Sequence, residues 1–142
     1  MPVHWKIDPQ ALLITARAEG TVTRPEFEAF LDAMAEADAV GYAKLFDGRG
    51  ADTEMGAANI MAIGVRIKAM HDARPPDRPP GPVAIVLDAD KFGLVARVLG
   101  ILATARRPMR VFEELEPARE WIGKQRAFAA AAEQRLHREP CS

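Results

Sequence analysis

The stretch Tyr42-Ala43-Lys44-Leu45-Phe46-Asp47 predicts a buried β-strand that ends at an acidic residue. From this strand to the end of the chain, predicted strands alternate with predicted helices. Strands are also predicted over 83–87 and 109–112, and helices over 91–104 and from Pro117 onward. Residues 83–87 are apolar without interruption, which is typical of a central parallel strand covered on both faces. Strands that alternate with helices in this way predict a mainly parallel sheet with right-handed crossovers.

The N-terminal part of the chain predicts an antiparallel hairpin and a marked helix start. Residues 4–7 and 11–18 suggest two strands, and the second places alternate apolar residues on one face: Leu12, Ile14, Ala16 and Ala18. The segment Thr23-Arg24-Pro25-Glu26 fits a capping box, so a helix is expected from Arg24. The predicted fold class is α/β, a layered sandwich with a mainly parallel sheet, an antiparallel N-terminal hairpin and about four helices.

Composition limits the classes of function. The chain has 142 residues, 49% hydrophobic and 27% charged, which is typical of a folded domain. A net charge of -1 gives no basis for nucleic-acid binding. Cys141 is the one cysteine, which favours a reducing compartment. The N-terminus lacks the apolar core of a signal peptide, and no apolar run approaches the ~20 residues of a membrane span. We therefore expect a cytoplasmic protein with no transmembrane segment.

Several short motifs together resemble one bacterial family. They are Gly20-Thr21-Val22-Thr23, Leu45-Phe46-Asp47-Gly48-Arg49, residues 81–86 followed by 92–97, and residues 109–112 followed by 118–122. Over about residues 7–122 the chain resembles SpoIIAA-like (STAS-type) domains. The resemblance implies a small α/β layer sandwich related to anti-sigma-factor antagonists and, more distantly, to CRAL-TRIO lipid carriers. Residues 1–122 are then one such domain, and 123–142 a helical extension or a frayed tail.

The chain departs from the family at the regulatory site. Regulatory STAS domains carry a phosphorylatable Ser or Thr at the start of the helix after the strand that ends in Asp. Counting from Asp47 places Glu54 and Met55 there, and a shift of two places Thr53 there. Thr53 is therefore the one candidate for a phosphoswitch, and a plain helix cap is the favoured explanation of it.

Other chemistry finds little support in the sequence. No histidine has a second ligand at metal spacing, and no internal serine or cysteine can act as a nucleophile. Gly48-Arg49-Gly50, taken as a loop before a helix that starts at Asp52 or Thr53, suggests an anion-binding or switch loop built on Asp47, Arg49 and Thr53. An ion pair between Arg49 and a nearby carboxylate is the simpler expectation. We expect no metal and no cofactor.

The segment 92–104 is apolar on all sides of a helix, with Arg97 and Thr104 as its polar residues. A helix that is apolar on all sides must be buried against other apolar groups. Three covers are consistent with the sequence: the last helix, a second copy of the chain, or an apolar ligand or membrane surface. The residues proposed for the interface or apolar pocket are Phe92, Leu94, Val98, Ile101 and Leu102.

These observations predict a binding protein. The first hypothesis is a non-catalytic bacterial regulatory or protein-interaction module, homodimeric through residues 92–102, with or without a further protein partner. The alternative is a carrier or sensor of an apolar small molecule or lipid. An enzyme is the third hypothesis.

Overall fold

Five strands and three helices make up the part of the chain that the structure describes. The structure is a computed structural model and describes residues 3–52, 55–75, 77, 80–88, 90 and 109–138. In chain order the elements are β1 (Val3–Asp8), β2 (Leu13–Thr21), α1 (Arg24–Glu36), β3 (Ala43–Asp52), α2 (Ala57–Asp72), β4 (Val83–Val86), β5 (Met109–Phe112) and α3 (Leu115–Arg138). The helix predicted over 91–104 lies outside the described residues.

The strands form one mixed sheet in the order β1-β2-β3-β4-β5. β1 and β2 are antiparallel, as expected of strands joined by a short turn. The pairs β2–β3, β3–β4 and β4–β5 are parallel, because each is joined by a crossover long enough to hold a helix. The predicted α/β class, parallel sheet and N-terminal hairpin are confirmed.

The first face of the sheet is covered by α1 and α2. Ile14, Ala16 and Ala18 of β2 alternate toward this face and are buried. The predicted capping box starts α1, where the backbone N–H of Thr23 donates to the Glu26 carboxylate at 3.0 Å. Four aromatic rings pack between helix and sheet at centroid distances of 5.6 to 6.2 Å: Trp5, Phe27, Phe30 and Phe46. This aromatic cluster is the centre of the larger core.

The second face is covered by α3. Ala84 and Val86 of β4 are fully buried against this helix, together with Leu45 of β3. Ala118 and Ile122 are the buried residues of α3. The helix continues beyond residue 122 and ends at Arg138. β4 is thus an interior strand of the sheet, as its apolar sequence predicts.

Three local predictions were wrong. The strand expected over 42–47 continues to Asp52, because β3 accommodates Gly48-Arg49-Gly50 with a bulge instead of ending there. Helix α2 accordingly begins at Ala57, with Gly56 as its N-cap residue, rather than at Asp52 or Thr53. Leu12 does not face the core: it lies in the β1–β2 turn with a φ of 52° and is 56% exposed.

The turn before β3 is held by contacts from β3 itself and from the segment just before β4. The buried Lys44 side chain donates from Nζ to the carbonyl oxygens of Val40 at 2.6 Å and Tyr42 at 2.9 Å. The backbone N–H of Gly81 donates to the Val40 carbonyl at 3.2 Å. The peptide groups of this turn therefore have little freedom to move.

Candidate functional site

Asp47 and Arg49 form a two-pronged ion pair near the carboxyl end of β3. Arg49 donates from Nε to Oδ1 of Asp47 at 3.0 Å and from Nη2 to Oδ2 at 2.9 Å. The backbone N–H of Arg49 donates to the same carboxylate at 3.1 Å. The sequence prediction that Arg49 pairs with a neighbouring carboxylate is confirmed.

The bulge in β3 brings these two residues together. β2 and β3 pair up to Arg17 with Asp47, and pairing resumes at Glu19 with Gly50, so β3 carries one extra residue. A Cβ on Gly48 would lie 2.8 Å from Cδ2 of Leu87, so a larger residue at the bulge would require the Leu87 side chain to shift. The Gly-Arg-Gly segment is thus part of the sheet and contains the bulge, so it does not form a phosphate loop before a helix.

The ion pair shifts the titration of both partners. The Arg49 side-chain hydrogen bond is the main cause that holds the pKa of the Asp47 carboxyl below its ordinary value of 3.8, and partial burial opposes it. The same hydrogen bond raises the pKa of Arg49. Asp47 is therefore ionised at neutral pH, and it is a weak base.

The pair lies in an open cleft of about 620 Å³ between the sheet and the first turns of α3. We name it the arginine cleft, after the three arginines among its lining residues: Thr15, Ala16, Arg17, Leu45, Asp47, Arg49, Gly50, Leu115 and Arg119. β2, β3 and α3 each supply one arginine. Ligands of open α/β sheets commonly bind at the carboxyl ends of parallel strands, where this cleft lies.

Sequence analysis missed two of the three arginines. Arg17 alternates with the buried residues of β2 and so faces the α3 side of the sheet, and the parallel register places it beside Asp47. Arg119 lies four residues after Leu115 on α3, so the two share one face of the helix. The alternation of β2 was a usable signal for Arg17. Nothing local in the sequence of α3 points to Arg119, because its position depends on how α3 packs.

The pH dependence of stability tests this geometry. Since the pKa of Asp47 is lower in the folded protein, its ion pair stabilises the fold above pH 3.8 and this contribution is lost as the pH falls below that value. Urea unfolding of wild type and Asp47→Asn should show a constant difference in free energy of unfolding from pH 7 to about pH 5, and a shrinking difference at lower pH. Arg49→Gln should reduce the pH dependence in the same way. An Asp47→Asn difference that stays constant through the acid range would contradict the ion pair.

A second surface feature lies on α2. Its outer side carries an exposed row of apolar residues at three- and four-residue spacing, which we name the α2 stripe: Ala58, Met61, Val65 and Ala69. Met61 is 52% and Val65 60% exposed. Single exposed apolar residues are common, but four in one row on a helix form a continuous patch.

The remaining predicted site residues lie outside the described part of the chain. They are Thr53 of the proposed switch loop and the apolar residues Phe92, Leu94, Val98, Ile101 and Leu102. Of the positions compared with the regulatory serine, Met55 is described: it is partly buried and packs against the core beneath α1 and α2.

Comparison with solved structures identifies the fold. The chain superposes on the crystal structure of an uncharacterised protein of the DUF3478 family from Shewanella loihica PV-4, which has a SpoIIAA-like fold. The TM-score is 0.54 at 16% sequence identity, over 84% of this chain and 91% of the other. The fold is SpoIIAA-like. Scans against family models and curated proteins gave no match.

The described residues of this SpoIIAA-like fold contain no group of three or more His, Cys, Asp or Glu side chains placed to hold a metal ion. None of their helices combines the length and the apolar character needed to cross a bilayer.

Proposed function

We propose that this SpoIIAA-like domain is a non-catalytic protein-interaction module that works as a homodimer, with residues 92–102 in the dimer interface. The observation that carries the proposal is the apolar sequence of residues 92–104. The segment 92–104 has two polar residues in thirteen, which is far more apolar than the exposed side of a helix tolerates.

The α2 stripe supports the same proposal from the described residues. Met61 and Val65 are four positions apart, so their side chains are neighbours on one side of the helix. The charged residues of α2 next to this row are paired locally: Arg66 with Asp32 of α1, and Lys68 with Asp72 at 2.6 Å. A row of exposed apolar residues whose charged neighbours are already paired is suited to contact with another protein.

The arginine cleft supports a function without catalysis. Among the residues that line it, the one carboxylate is Asp47, whose pKa is lowered by Arg49. A general base works best when its pKa lies near the operating pH, and Asp47 is far from that condition. The lining contains no serine, cysteine or histidine that could attack a substrate.

Val98→Asp tests the interface. We expect this change to convert the dimer to a folded monomer, because the new carboxylate would be buried without a partner in the interface. The dissociation constant should rise by at least about a hundredfold, equivalent to ~2.7 kcal/mol. Size-exclusion chromatography with light scattering gives the mass, and circular dichroism checks the fold.

Leu12→Asp is the matched control for this experiment. Leu12 is 56% exposed in the β1–β2 turn, so the control makes the same apolar-to-acidic change at a different surface. It should leave both the dimer and the fold unchanged. A stable dimer of the Val98→Asp protein would exclude residues 92–102 as the interface.

A further inference from the structure

We propose that the arginine cleft binds a small water-soluble molecule that carries an oxyanion head group, phosphate or carboxylate, on a short apolar body. The described residues that line this cleft do not include residues 92–102 of the proposed dimer interface. It rests on the charge, mobility and shape of the cleft lining.

The charge of the lining favours an anion. Among the described residues that line the cleft, three carry a guanidinium group, Arg17, Arg49 and Arg119, and one carries a carboxylate, Asp47. Guanidinium groups present planar arrays of donors that match the oxygens of phosphate and carboxylate, and such charge-assisted hydrogen bonds are among the strongest in proteins.

Two of the arginines can turn toward a ligand at little cost. Arg17 pairs with Glu19, and Arg119 pairs with Glu116 at 3.1 Å, and all four side chains are about half exposed or more. Exposed pairs of this kind contribute about 1 kcal/mol or less, so an anion bound by several donors can replace them. Glu19 and Glu116 then remain in water.

The third arginine is held in place. Asp47 engages Nε and Nη2 of Arg49, and the Nη1 end of the guanidinium takes no part in this pair. Asp47 itself is held in place, because its carboxylate also accepts a hydrogen bond from the backbone N–H of Arg49. The cleft therefore combines one fixed cationic group with two mobile ones, an arrangement that can close around a small head group.

The shape of the cleft favours a ligand with an apolar part. The three arginines are exposed and so lie toward the mouth, whereas Leu45 is buried and Leu115 is partly buried. The volume of about 620 Å³ is several times that of an inorganic anion and is typical of sites for small organic molecules. An apolar body would cover Leu45 and Leu115 while the head group meets the arginines.

Phenyl phosphate is a suitable probe, because it joins a phosphate head group to an apolar ring. Inorganic phosphate and phenol each represent one of these two parts alone. We would titrate each compound into the full-length protein and follow backbone amide signals by two-dimensional NMR. Phenyl phosphate should shift signals of β2, β3 and the start of α3 in a saturable way. Inorganic phosphate and phenol should each bind at least about tenfold more weakly.

The variant Arg17→Gln/Arg119→Gln should weaken phenyl phosphate binding at least about tenfold, because it removes the two mobile cations. Arg24→Gln is the matched control: Arg24 also forms a local ion pair, with Glu28 at 2.7 Å, but this pair is partly buried and lies on α1. It should leave binding unchanged. Unchanged binding by the double variant, or no saturable shift in the wild type, would overturn the proposal.

Two further outcomes would also overturn it. Inorganic phosphate that binds as tightly as phenyl phosphate would show that the cleft does not use its apolar residues. Vesicles of phosphatidylcholine containing phosphatidic acid test whether the head group belongs to a lipid. If the wild type sediments with these vesicles and the double variant does not, the head group bound by the cleft belongs to a membrane lipid and not to a soluble molecule.

Discussion

Replacing Gly81 with alanine should lower the free energy of unfolding by about 3 kcal/mol or more, or prevent folding altogether. A Cβ at this position would lie 2.1 Å from the carbonyl oxygen of Tyr42 and 2.6 Å from that of Gly41. Both contacts are with backbone atoms, which cannot move aside as a flexible side chain can. Lys44 also holds the carbonyl oxygen of Tyr42 in place, because its Nζ donates a hydrogen bond to that oxygen at 2.9 Å.

Urea unfolding followed by circular dichroism measures this effect. Gly123→Ala is the matched control, because Gly123 lies exposed in α3 and a Cβ there meets no atom within 4 Å. The control should be more stable than wild type by about 0.5–1 kcal/mol, since alanine favours a helix over glycine. Wild-type stability in the Gly81→Ala protein would show that the segment just before β4 does not approach the Val40–Tyr42 turn this closely.

The second large effect is expected for Phe30→Ala, which should cost about 4 kcal/mol of unfolding free energy. Phe30 is 5% exposed and its ring contacts three others, with centroid distances of 5.6 Å to Trp5, 6.0 Å to Phe27 and 6.2 Å to Phe46. Truncation removes these contacts and leaves a cavity between α1 and the sheet.

Phe30→Leu keeps most of the volume and should cost about 1.5 kcal/mol or less. The same urea titrations give both values, and the difference between the two variants isolates the cavity from the loss of aromatic contacts. A loss below about 1 kcal/mol for Phe30→Ala would mean that the aromatic cluster is not the centre of this core.

Features that depend on local sequence were predicted well. The capping box of Thr23 and Glu26 satisfies backbone groups within a single turn, so neighbouring residues determine it. The apolar run in β4 and the alternation in β2 report burial directly, and the structure confirms both. Together these signals were enough to predict the parallel sheet and its N-terminal hairpin.

Features that depend on register were not predicted. Gly48-Arg49-Gly50 has a composition typical of a loop, and only its pairing with β2 shows that it forms a bulge inside β3. The arginine cleft depends on the same register, which places Arg17 beside Asp47, and on the packing of α3, which brings Arg119 to the cleft. Part of the site was therefore predictable, namely the Asp47–Arg49 pair, and the rest required the assembled sheet.

Native mass spectrometry of the protein purified without detergent tests the central claim, that this SpoIIAA-like domain is a self-associating binding module, most directly. We expect the main species to have twice the 15.5 kDa mass of one chain, and the Val98→Asp protein to appear at the mass of one chain. Denaturing extraction of the same sample would identify any molecule that the protein retains. A wild-type protein that appears as a bare 15.5 kDa monomer under these conditions would contradict the claim.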